Sequence, residues 1–560
     1  MRPIRISKTT LHDLMESNES GQTAYYRLGT GHALGYRRRA MALNILNVIL
    51  SIVLTVLGLL LLFSLIPRNL SANNSCLWPG PGSRCFWPFG HYHDRRHSVV
   101  LISMDGFRHD YLEIVRSRLG STSLPNFARL ESAGVRAMQS VNAFPTVTMP
   151  NHHTLVTGLY PEHHGVVANS IRDTRWPSTA FAMNNQTSLN KDPWLDGWPE
   201  PLWVTLQKSG GLAGSLLWPI TDGFVRQDLP FQQVSQFTLL DNADSRYPYE
   251  KRVADLLWWL DNPRYHLDLV LAYFDEPDET GHAYGPYSLE VAEKVREMDG
   301  VLGFLLDGLR DHGLQDRVDV ILTADHGMAA IATDRLIALD DYIDPSLYSY
   351  TQLSTVGLMY PEPGKANEVY AKLKGAHENL KVYWLSEVPS ELNFNRNSSR
   401  MPPIILVPDP LWYLVHKRDT PVVAGDHGYT PNFSDMNPFL IASGPSFRSD
   451  HRTEQVYAVD IYPLLCGLFH LRPHANNGSL ERIATALLKQ EVADRLLFLQ
   501  RWPSWLVWLV LEMELLWFLL VTACALLLVV ALGASIRMQH YYRRLMLHVE
   551  DEYDGKSVSV

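Results

Sequence analysis

Apolar runs of strand length alternate with helix-like segments along most of this chain. Between residue 98 and about residue 480, the runs that resemble buried strands are separated by longer stretches with helical patterning. Alternating strands and helices are typical of an α/β fold with a mainly parallel sheet. The pattern predicts one large α/β unit, with candidate strands at 98–104, 269–274, 318–323 and 403–407 and candidate helices at 125–134, 151–157, 249–260 and 291–310.

Acidic residues closely follow three of these runs. Asp105 comes directly after VVLISM, Asp325 follows VDVILT after one residue, and Asp278 follows LVLAYF after three. Ligands in open α/β sheets bind beyond the carboxyl ends of the strands. We therefore expect three carboxylates to meet at one edge of one sheet.

Histidines accompany these aspartates. Asp278 and His282 are four residues apart, which places both on one face of a helical turn, and Asp325 is adjacent to His326. His427 lies in a further cluster, AGDHGY. Each pair alone is weak evidence, but together the clusters supply three aspartates and three histidines. The chain has no Cys-x-x-Cys motif, so any metal is held by Asp and His, which suit zinc and other first-row metals.

A hydroxyl lies close to a predicted helix start. Thr148 precedes Pro150 in PTVTMPN, and a helix-like run begins at Asn151. One interpretation is that Thr148 is only the N-cap of that helix. The other is that its hydroxyl, at the positive end of the helix dipole, attacks a phosphate group. Beside the metal-type clusters the second interpretation is stronger, and the whole set is that of a two-metal site that cleaves phosphate esters.

Two uncharged apolar segments predict membrane spans. Residues 40–67 and 515–536 each exceed the roughly 20 apolar residues needed to cross a bilayer. Arginines precede the first segment and follow the second, so the positive-inside rule puts both termini in the cytoplasm and the intervening chain outside. The alternative for the first segment is a cleaved signal peptide. That segment, however, starts late and is longer than the usual apolar region of about 7–15 residues.

These segments divide the chain into regions. The predicted order is a cytoplasmic tail at 1–39, a transmembrane helix at 40–67, a stalk at 68–97, a catalytic domain at 98–485, a membrane-proximal segment and second transmembrane helix at 505–536, and a cytoplasmic tail at 537–560. The net charge of −10 argues against a general nucleic-acid binder, so we expect no stable nucleic-acid partner.

Sequons and cysteines fit a secretory-route membrane protein. Cys76 and Cys85 flank a Pro/Gly-rich loop and can pair in an oxidising compartment. Cys466 is expected in a buried apolar helix and Cys524 inside the second span. Six Asn-x-Ser/Thr sequons in the predicted outer region are candidate glycosylation sites: Asn69, Asn73, Asn185, Asn397, Asn432 and Asn477.

Six segments resemble the ecto-nucleotide pyrophosphatase/phosphodiesterase family of the alkaline-phosphatase superfamily. They are DGFR at 105–108, PTVTMPNHHTLVTGLYPEHHGVVAN at 145–169, EPDETGH at 276–282, ADHGM at 324–328, GDHGY at 425–429 and NNGS at 476–479. The resemblance runs from about residue 98 to residue 480. It implies an alkaline-phosphatase-like sheet flanked by helices. It also implies a zinc-dependent hydrolase of nucleotide phosphodiester or pyrophosphate bonds that releases nucleoside 5′-monophosphates.

The resemblance also implies a role for each candidate residue. Thr148 is the implied nucleophile, which forms a covalent phospho-threonine that water then hydrolyses. Asn169 is implied to help hold a non-bridging phosphoryl oxygen. Two Zn²⁺ ions are implied, one held by Asp278, His282 and His427 and the other by Asp105, Thr148, Asp325 and His326.

Two positions depart from the family pattern. Many nucleotide-cleaving members have Lys before the nucleophile and an aromatic residue after it, where this chain has Val147 and Met149. These departures leave open an enzyme of the same fold that acts on lipid or choline phosphodiesters. A third hypothesis is a non-enzymatic receptor or adhesion module, and the complete set of candidate ligands argues against it.

Overall fold

A central eight-stranded sheet organises the larger of two compact units, which includes residues 97–501. The computed structural model describes residues 97–176, 180–182, 199–222, 229–235, 247–501 and 513–554. The strand Leu440–Ser443 runs antiparallel to both neighbours, and the other neighbouring pairs are parallel. The predicted α/β fold with a mainly parallel sheet is therefore confirmed. Across the sheet the strands are His451–Tyr457, Gly134–Val141, Leu440–Ser443, Val318–Thr323, Ser98–Met104, Leu269–Phe274, Ala213–Leu216 and Gln232–Val234.

The central strands are buried on both faces. Every residue of Ser98–Met104 and of Val318–Thr323 is buried. Val99 and Leu101 belong to one core cluster, whereas Val100 and Ile102 belong to another. Successive side chains of a strand point to opposite faces, so the two clusters lie on opposite sides of the sheet. This arrangement explains why the sequence shows continuous apolar runs instead of alternation.

Helices contribute side chains to both core clusters. The predicted helices match the structure to within three residues, and the largest difference is at the helix predicted from residue 151, which begins at Thr148. One cluster includes residues of Tyr111–Leu119, Pro125–Ala133, Tyr249–Leu260 and Leu289–Asp311. The other includes residues of Thr148–Thr157, Leu202–Lys208, Ile461–Leu468 and Leu480–Leu487. Further helices are Pro161–His164, Asp278–Tyr284, Ala366–Leu373 and Gln490–Arg501.

A second sheet is antiparallel and lies between residues 348 and 408 of the sequence. The candidate strand at 403–407 belongs to this sheet and not to the parallel one, which corrects the prediction for that run. All five residues of Ile404–Pro408 are buried, so its sequence resembles that of a central parallel strand. In order across the sheet, the strands are Tyr348–Leu353, Gly357–Pro361, Ile404–Pro408 and Leu380–Trp384.

Three two-stranded sheets account for the remaining strands in the described part of the chain. The pair Ala329–Ala330 and Gly425–Asp426 brings the segment after His326 beside the segment before His427. The other two pairs are Ser170–Arg172 with Ala180–Ala182 and Leu336–Ala338 with Tyr413–Val415.

The helix Met513–Asp554 is a separate feature near the C-terminus. Within it, Thr522–Arg544 is long and apolar enough to cross a membrane, and it is the one such helix among the described residues. The predicted span at 515–536 lies inside Met513–Asp554. The predicted span at 40–67 lies outside the described residues, so two transmembrane helices remain a prediction. Asn69, Asn73, Cys76, Cys85 and Asn185 also lie outside them.

Candidate active site

Three neighbouring strands deliver carboxylates to one edge of the central sheet. Asp105 directly follows the strand Ser98–Met104, and Asp325 lies just beyond Val318–Thr323. Asp278 opens the short helix that follows Leu269–Phe274. The strand Ser98–Met104 pairs in parallel with the other two, so their carboxyl ends lie side by side. The predicted convergence of the three aspartates is therefore observed.

Gly106 permits the close approach of these aspartates. Its φ of +67° is a conformation that glycine adopts without strain. A Cβ at this position would lie 2.8 Å from Asp278 Oδ1, which leaves no room for a side chain. The Gly106 N–H also donates to Asp325 Oδ1 at 3.3 Å. A glycine directly after Asp105 thus brings the ends of all three strands together.

The three predicted histidines are oriented by the same kind of hydrogen bond to the backbone. Each Nδ1 lies within hydrogen-bond distance of a backbone carbonyl oxygen: His282 of Gly425 (2.8 Å), His326 of Gly327 (2.9 Å) and His427 of Thr146 (2.9 Å). Because a carbonyl oxygen only accepts, Nδ1 carries the proton and donates. In the neutral rings the Nε2 lone pairs are then available to a metal ion, in orientations that the carbonyl groups define.

The Nε2 atoms face the carboxylates. His326 Nε2 is 3.3 Å from Asp105 Oδ1 and 3.1 Å from Asp325 Oδ2. Asp278 lies between the other two histidines, with Oδ2 3.3 Å from His282 Nε2 and Oδ1 3.7 Å from His427 Nε2.

His326 stands between the two predicted ligand sets. Its ring stacks on that of His427 with the centroids 3.4 Å apart. Ligand atoms of Asp105, Asp325 and His326 lie within 4.8 Å of one another, and so do those of Asp278, His326 and His427. The structure thus gathers all six predicted Asp and His residues into one continuous cluster.

The donor atoms of this cluster fit a metal ion. Within this cluster, three buried carboxylate oxygens have no hydrogen-bond partner among the described residues: Asp105 Oδ1, Asp278 Oδ1 and Asp325 Oδ2. A buried acceptor left unpaired costs roughly 1–3 kcal/mol, and more when it is charged. Oxygen and imidazole lone pairs that face each other repel, and a cation between them converts that repulsion into attraction. Asp and His are ligands that zinc accepts.

Burial and mutual repulsion set the charges of the carboxylates. Burial, followed by repulsion from Asp325 and Asp278, raises the pKa of Asp105 well above its ordinary value. Burial would also raise the pKa of Asp325, but the adjacent His326 holds that pKa below its ordinary value. The cluster therefore crowds carboxyl groups into a space from which solvent is largely excluded, and a bound cation would relieve the repulsion between them.

His427 and His282 differ in their charge. Burial lowers the pKa of His427 to about 4, so its ring is neutral at neutral pH. Burial would also lower the pKa of His282, but the carboxylate of Asp278 outweighs it and raises that pKa to about 9. Since a metal ligand must be deprotonated, metal binding at His282 would release a proton.

Thr148 begins the helix Thr148–Thr157 at the edge of this cluster. The N-cap position is Val147, so the N-cap interpretation of Thr148 is wrong. Thr148 is half-buried, and its Oγ1 lies 3.2 Å from His326 Nε2. In the same first turn, the Met149 N–H donates to Asn169 Oδ1 at 2.9 Å. Asn169 is exposed, and this bond leaves its Nδ2 as a hydrogen-bond donor beside the nucleophile candidate.

Two contacting residues were missed by the sequence reasoning. The Tyr273 hydroxyl donates to Asp105 Oδ2 at 2.5 Å. His152 is fully buried, with Nδ1 2.9 Å from the Thr148 carbonyl oxygen and 3.4 Å from Asp325 Oδ2. Tyr273 has no local signal, because it lies within an apolar strand. His152 had one, because it lies four residues after Thr148 on the same helix.

Asp426 is the third residue that was missed. Its ligand atoms lie within 4.8 Å of those of His282 and His427, and the adjacent Asp–His pair repeats the pattern of residues 325 and 326. Both carboxylate oxygens of Asp426 are already engaged, since Oδ2 accepts from the Tyr413 hydroxyl and Oδ1 from the His427 N–H, each at 2.8 Å. Asp426 therefore supports the loop that carries His427.

The two positions that depart from the family pattern are buried. Val147 is 0% exposed, and Met149 is 9% exposed and packs in a core cluster. A Cβ added to Gly428 would lie 3.4 Å from a Val147 methyl group, so Val147 packs against the loop that carries His427. The side chain of Val147 thus faces the protein interior.

The described sequons lie at the surface. Asn397, Asn432 and Asn477 are all exposed. Asn477 Oδ1 accepts from the Tyr160 N–H at 3.2 Å and lies 3.0 Å from His163 Nδ1. Cys466 is buried in the helix Ile461–Leu468, as predicted.

Comparison with known proteins identifies the family. Residues 99–430 match the sequence profile described as Type I phosphodiesterase / nucleotide pyrophosphatase. Ectonucleotide pyrophosphatase/phosphodiesterase family member 5 of Homo sapiens is 34% identical over 389 residues, which cover 70% of this chain and 78% of that protein. The bis(5′-adenosyl)-triphosphatase enpp4 of Mus musculus is 36% identical over 395 residues, which cover 70% and 82%.

This chain also resembles a solved structure. It is the murine family member 5 in complex with AMP, as an inactive variant in which a threonine is replaced by alanine. Its TM-score is 0.64 at 33% identity, and the match covers 70% of this chain and 100% of that chain. With the site geometry and the matched profile, these likenesses show that the chain belongs to the ecto-nucleotide pyrophosphatase/phosphodiesterase family of the alkaline-phosphatase superfamily.

Proposed function

We propose that this protein is a membrane-anchored ectoenzyme that hydrolyses phosphodiester or pyrophosphate bonds of nucleotides and releases nucleoside 5′-monophosphates. One observation carries the proposal. Unpartnered buried oxygens of Asp105, Asp278 and Asp325 converge with histidine Nε2 atoms beside the Thr148 hydroxyl. Family membership narrows the class of reaction to hydrolysis at phosphorus in nucleotides.

We assign two zinc ions to the cluster. Asp278, His282 and His427 would hold one ion. Asp105, Asp325, His326 and the Thr148 hydroxyl would hold the other. Bound zinc would supply Lewis-acid stabilisation of phosphoryl charge and lower the pKa of the attacking hydroxyl. The negative charge of three carboxylates and a deprotonated hydroxyl is the charge that two divalent cations balance.

Thr148 is the proposed nucleophile. Its Oγ1 attacks phosphorus, the bond from phosphorus to the leaving group breaks on the opposite side, and Thr148 carries the nucleoside phosphoryl group as a phosphodiester. Water then hydrolyses this intermediate, which restores the hydroxyl and releases the nucleoside 5′-monophosphate. Asn169 Nδ2 and the N–H groups of the first helical turn would hold a non-bridging oxygen, because a helix N-terminus favours negative charge.

The relatives suggest a substrate. One relative is named a bis(5′-adenosyl)-triphosphatase, and a solved relative holds AMP. We propose that this chain accepts dinucleoside polyphosphates, with cleavage that leaves one nucleoside 5′-monophosphate and one shorter nucleotide. The substrate enters from the exposed side of the cluster, where Asn169 and the half-buried Thr148 lie.

A substrate panel tests this function. Full-length protein in detergent is assayed with bis(5′-adenosyl) triphosphate, p-nitrophenyl thymidine monophosphate and p-nitrophenyl phosphocholine, before and after chelation. We expect hydrolysis of the two nucleotide substrates, loss of activity with chelator and recovery with zinc. Faster cleavage of the phosphocholine ester would favour the lipid or choline hypothesis. A protein that holds two zinc ions and cleaves none of these esters would favour a receptor module.

We propose two membrane spans, at 40–67 and 515–536, with the catalytic domain on the extracellular or lumenal side and both termini in the cytoplasm. The helix Met513–Asp554 and the flanking arginines support the second span and its orientation. Epitope tags at both termini should stay inaccessible in intact cells, while Asn397 and Asn432 carry glycans. Labelling of either tag without permeabilisation would contradict this topology.

A further inference from the structure

A buried threonine lies between the candidate nucleophile and the loop that carries His427. Thr146 is 0% exposed and precedes Thr148 by two residues. Its hydroxyl donates to the Tyr429 carbonyl oxygen at 2.9 Å and accepts from the Gly428 N–H at 3.0 Å. Its own carbonyl oxygen accepts from His427 Nδ1 at 2.9 Å. One residue thus contacts three consecutive residues of the His427 loop.

The His427 loop is also held from its other side. The Thr355 hydroxyl donates to the His427 carbonyl oxygen at 2.5 Å. Gly428 lies between the two threonine-bearing segments at a φ of +123°, and a Cβ there would meet Thr355 Oγ1 at 2.4 Å. No side chain fits at residue 428, so this residue offers only its backbone for contacts. The Thr146 and Thr355 hydroxyls bond to the backbone of this loop and hold it in place.

The position of Thr146 is itself coupled to the nucleophile. The Asn151 side chain is fully buried, and its Nδ2 donates to the Pro145 carbonyl at 3.0 Å and to the Val147 carbonyl at 3.1 Å. These bonds flank Thr146 and originate from the helix that Thr148 begins. A shift of Thr146 relative to this helix would therefore break contacts on both sides of the residue.

We infer that Thr146 is a positioning residue. Its hydroxyl keeps His427 Nε2 directed at Asp278 and fixes the position of the His427 loop relative to Thr148. This inference rests on the proposed function, because it concerns the zinc ion assigned to Asp278, His282 and His427. Without the hydroxyl, the Gly428 N–H and the Tyr429 carbonyl lose a buried partner, which loosens the loop that orients the imidazole. Contacts that orient a ligand are typically worth about 10–100-fold in metal affinity.

Zinc release from the full-length protein tests the inference. The Thr146→Val variant removes the hydroxyl at nearly constant volume, Thr146→Ser keeps it, and His427→Ala identifies which ion is affected. With a chromogenic chelator, we expect the protein to release its two ions in two phases. In Thr146→Val, one phase should become about 10–100-fold faster, namely the phase that is lost in His427→Ala. Thr146→Ser should release zinc at nearly the original rate.

A matched control removes a buried hydroxyl that does not reach the loop. Thr157 is buried in the last turn of the same helix, and its hydroxyl hydrogen bonds stay within residues 153–159. Thr157→Val should release both ions at the original rates. If Thr146→Val is recovered unfolded, Thr146→Ala deletes the same hydroxyl without placing a methyl group against the Gly428 N–H, and it replaces Thr146→Val in the comparison.

The outcomes separate the inference from the proposed function. Unchanged release of both ions from a folded Thr146 variant would overturn the positioning role and leave the two-zinc site standing. Equal acceleration of both phases would also overturn it, because a general loss of stability would produce that result. A parent protein that binds fewer than two zinc ions would refute the metal assignment itself, and the inference would fall with it.

Discussion

The two halves of the site differ in how deeply they are buried and in what holds them. In the inner half, the side chains of Asp105, Asp325 and His326 are 3%, 0% and 0% exposed. In the outer half, those of Asp278, His282 and His427 are 15%, 29% and 7% exposed. The inner residues lie within three positions of the end of a central strand. The outer residues lie on a short helix and on a loop near residue 427.

This difference predicts that the two candidate metal positions differ in stability. The inner half is built on rigid parallel strands, and the Tyr273 hydroxyl adds a bond to Asp105. The outer half is carried by a short helix and a loop, and its side chains are more exposed than those of the inner half. Elements with fewer buried contacts open at lower free energy. We therefore expect the inner metal position to be more stable and the outer one to exchange more readily and to face the substrate.

The largest expected effect concerns Thr148, which contacts the inner half. Thr148→Ala should reduce turnover by roughly 10⁴–10⁶-fold, as the loss of a catalytic nucleophile does in other hydrolases. Thr148→Ser should keep part of the activity, because a hydroxyl remains. The measurement is the kcat for bis(5′-adenosyl) triphosphate, with zinc content as the control for an intact site. Near-normal turnover by the alanine variant would eliminate Thr148 as the nucleophile.

Substitution of a candidate ligand in the inner half should reduce activity more than substitution of one in the outer half. Asp325→Ala should reduce kcat/KM by on the order of 10³-fold and His282→Ala by on the order of 10²-fold, since a group next to the attacking atom stabilises more of the developing charge. His282→Ala should lose the ion that a chelator removes first. Kinetics and zinc release on the same preparations provide the test. The idea of a stable inner and an exchangeable outer position fails if the inner ion leaves first.

A third prediction concerns the segment between the halves. Val147→Lys restores the residue type of many family members, but Val147 is fully buried against the His427 loop. We expect this change to destabilise the fold by roughly 2–4 kcal/mol, because a buried charge without a partner is costly. Thermal unfolding measures the effect, with Val147→Leu as a size control. Unchanged stability together with a lower KM would show that the lysine reaches the substrate after all.

The smallest expected effect is that of Met149→Phe. Met149 is 9% exposed, so only one edge of a new ring would reach the site. Aromatic contacts are worth about 0.5–1.5 kcal/mol, which corresponds to a gain of at most about tenfold. We expect a lower KM for nucleotide substrates and little change for p-nitrophenyl phosphocholine. An equal change for both esters would mean that residue 149 does not set specificity.

Much of the site was predictable because its signals are local. Asp105, Asp278 and Asp325 each follow an apolar run closely, and parallel strands end at a common edge. The run at 403–407 shows the limit of this reasoning. It is as apolar as a central strand, yet it pairs antiparallel in the second sheet. Burial on both faces produces the same sequence pattern in either sheet.

Other features had no local signal. Nothing near Tyr273 in the sequence indicates that its hydroxyl bonds to Asp105, because the two residues are 168 positions apart. The N-cap interpretation of Thr148 failed because the helix begins three residues earlier than the pattern indicated. Asp426 was missed although it adjoins His427, and the hydrogen bonds to both of its carboxylate oxygens favour a role in supporting the His427 loop.

By itself, the sequence determined which residue types follow which strands, and therefore the class of chemistry. It also determined the alternation that produces an α/β sheet. Only the tertiary structure decided that His326 stands between the two ligand sets, that Val147 faces the interior and that Thr146 holds the His427 loop. The reason is physical. Strand pattern and ligand identity depend on neighbouring residues, whereas burial and hydrogen-bond partners join residues as distant as His427 and Thr146, which are 281 positions apart.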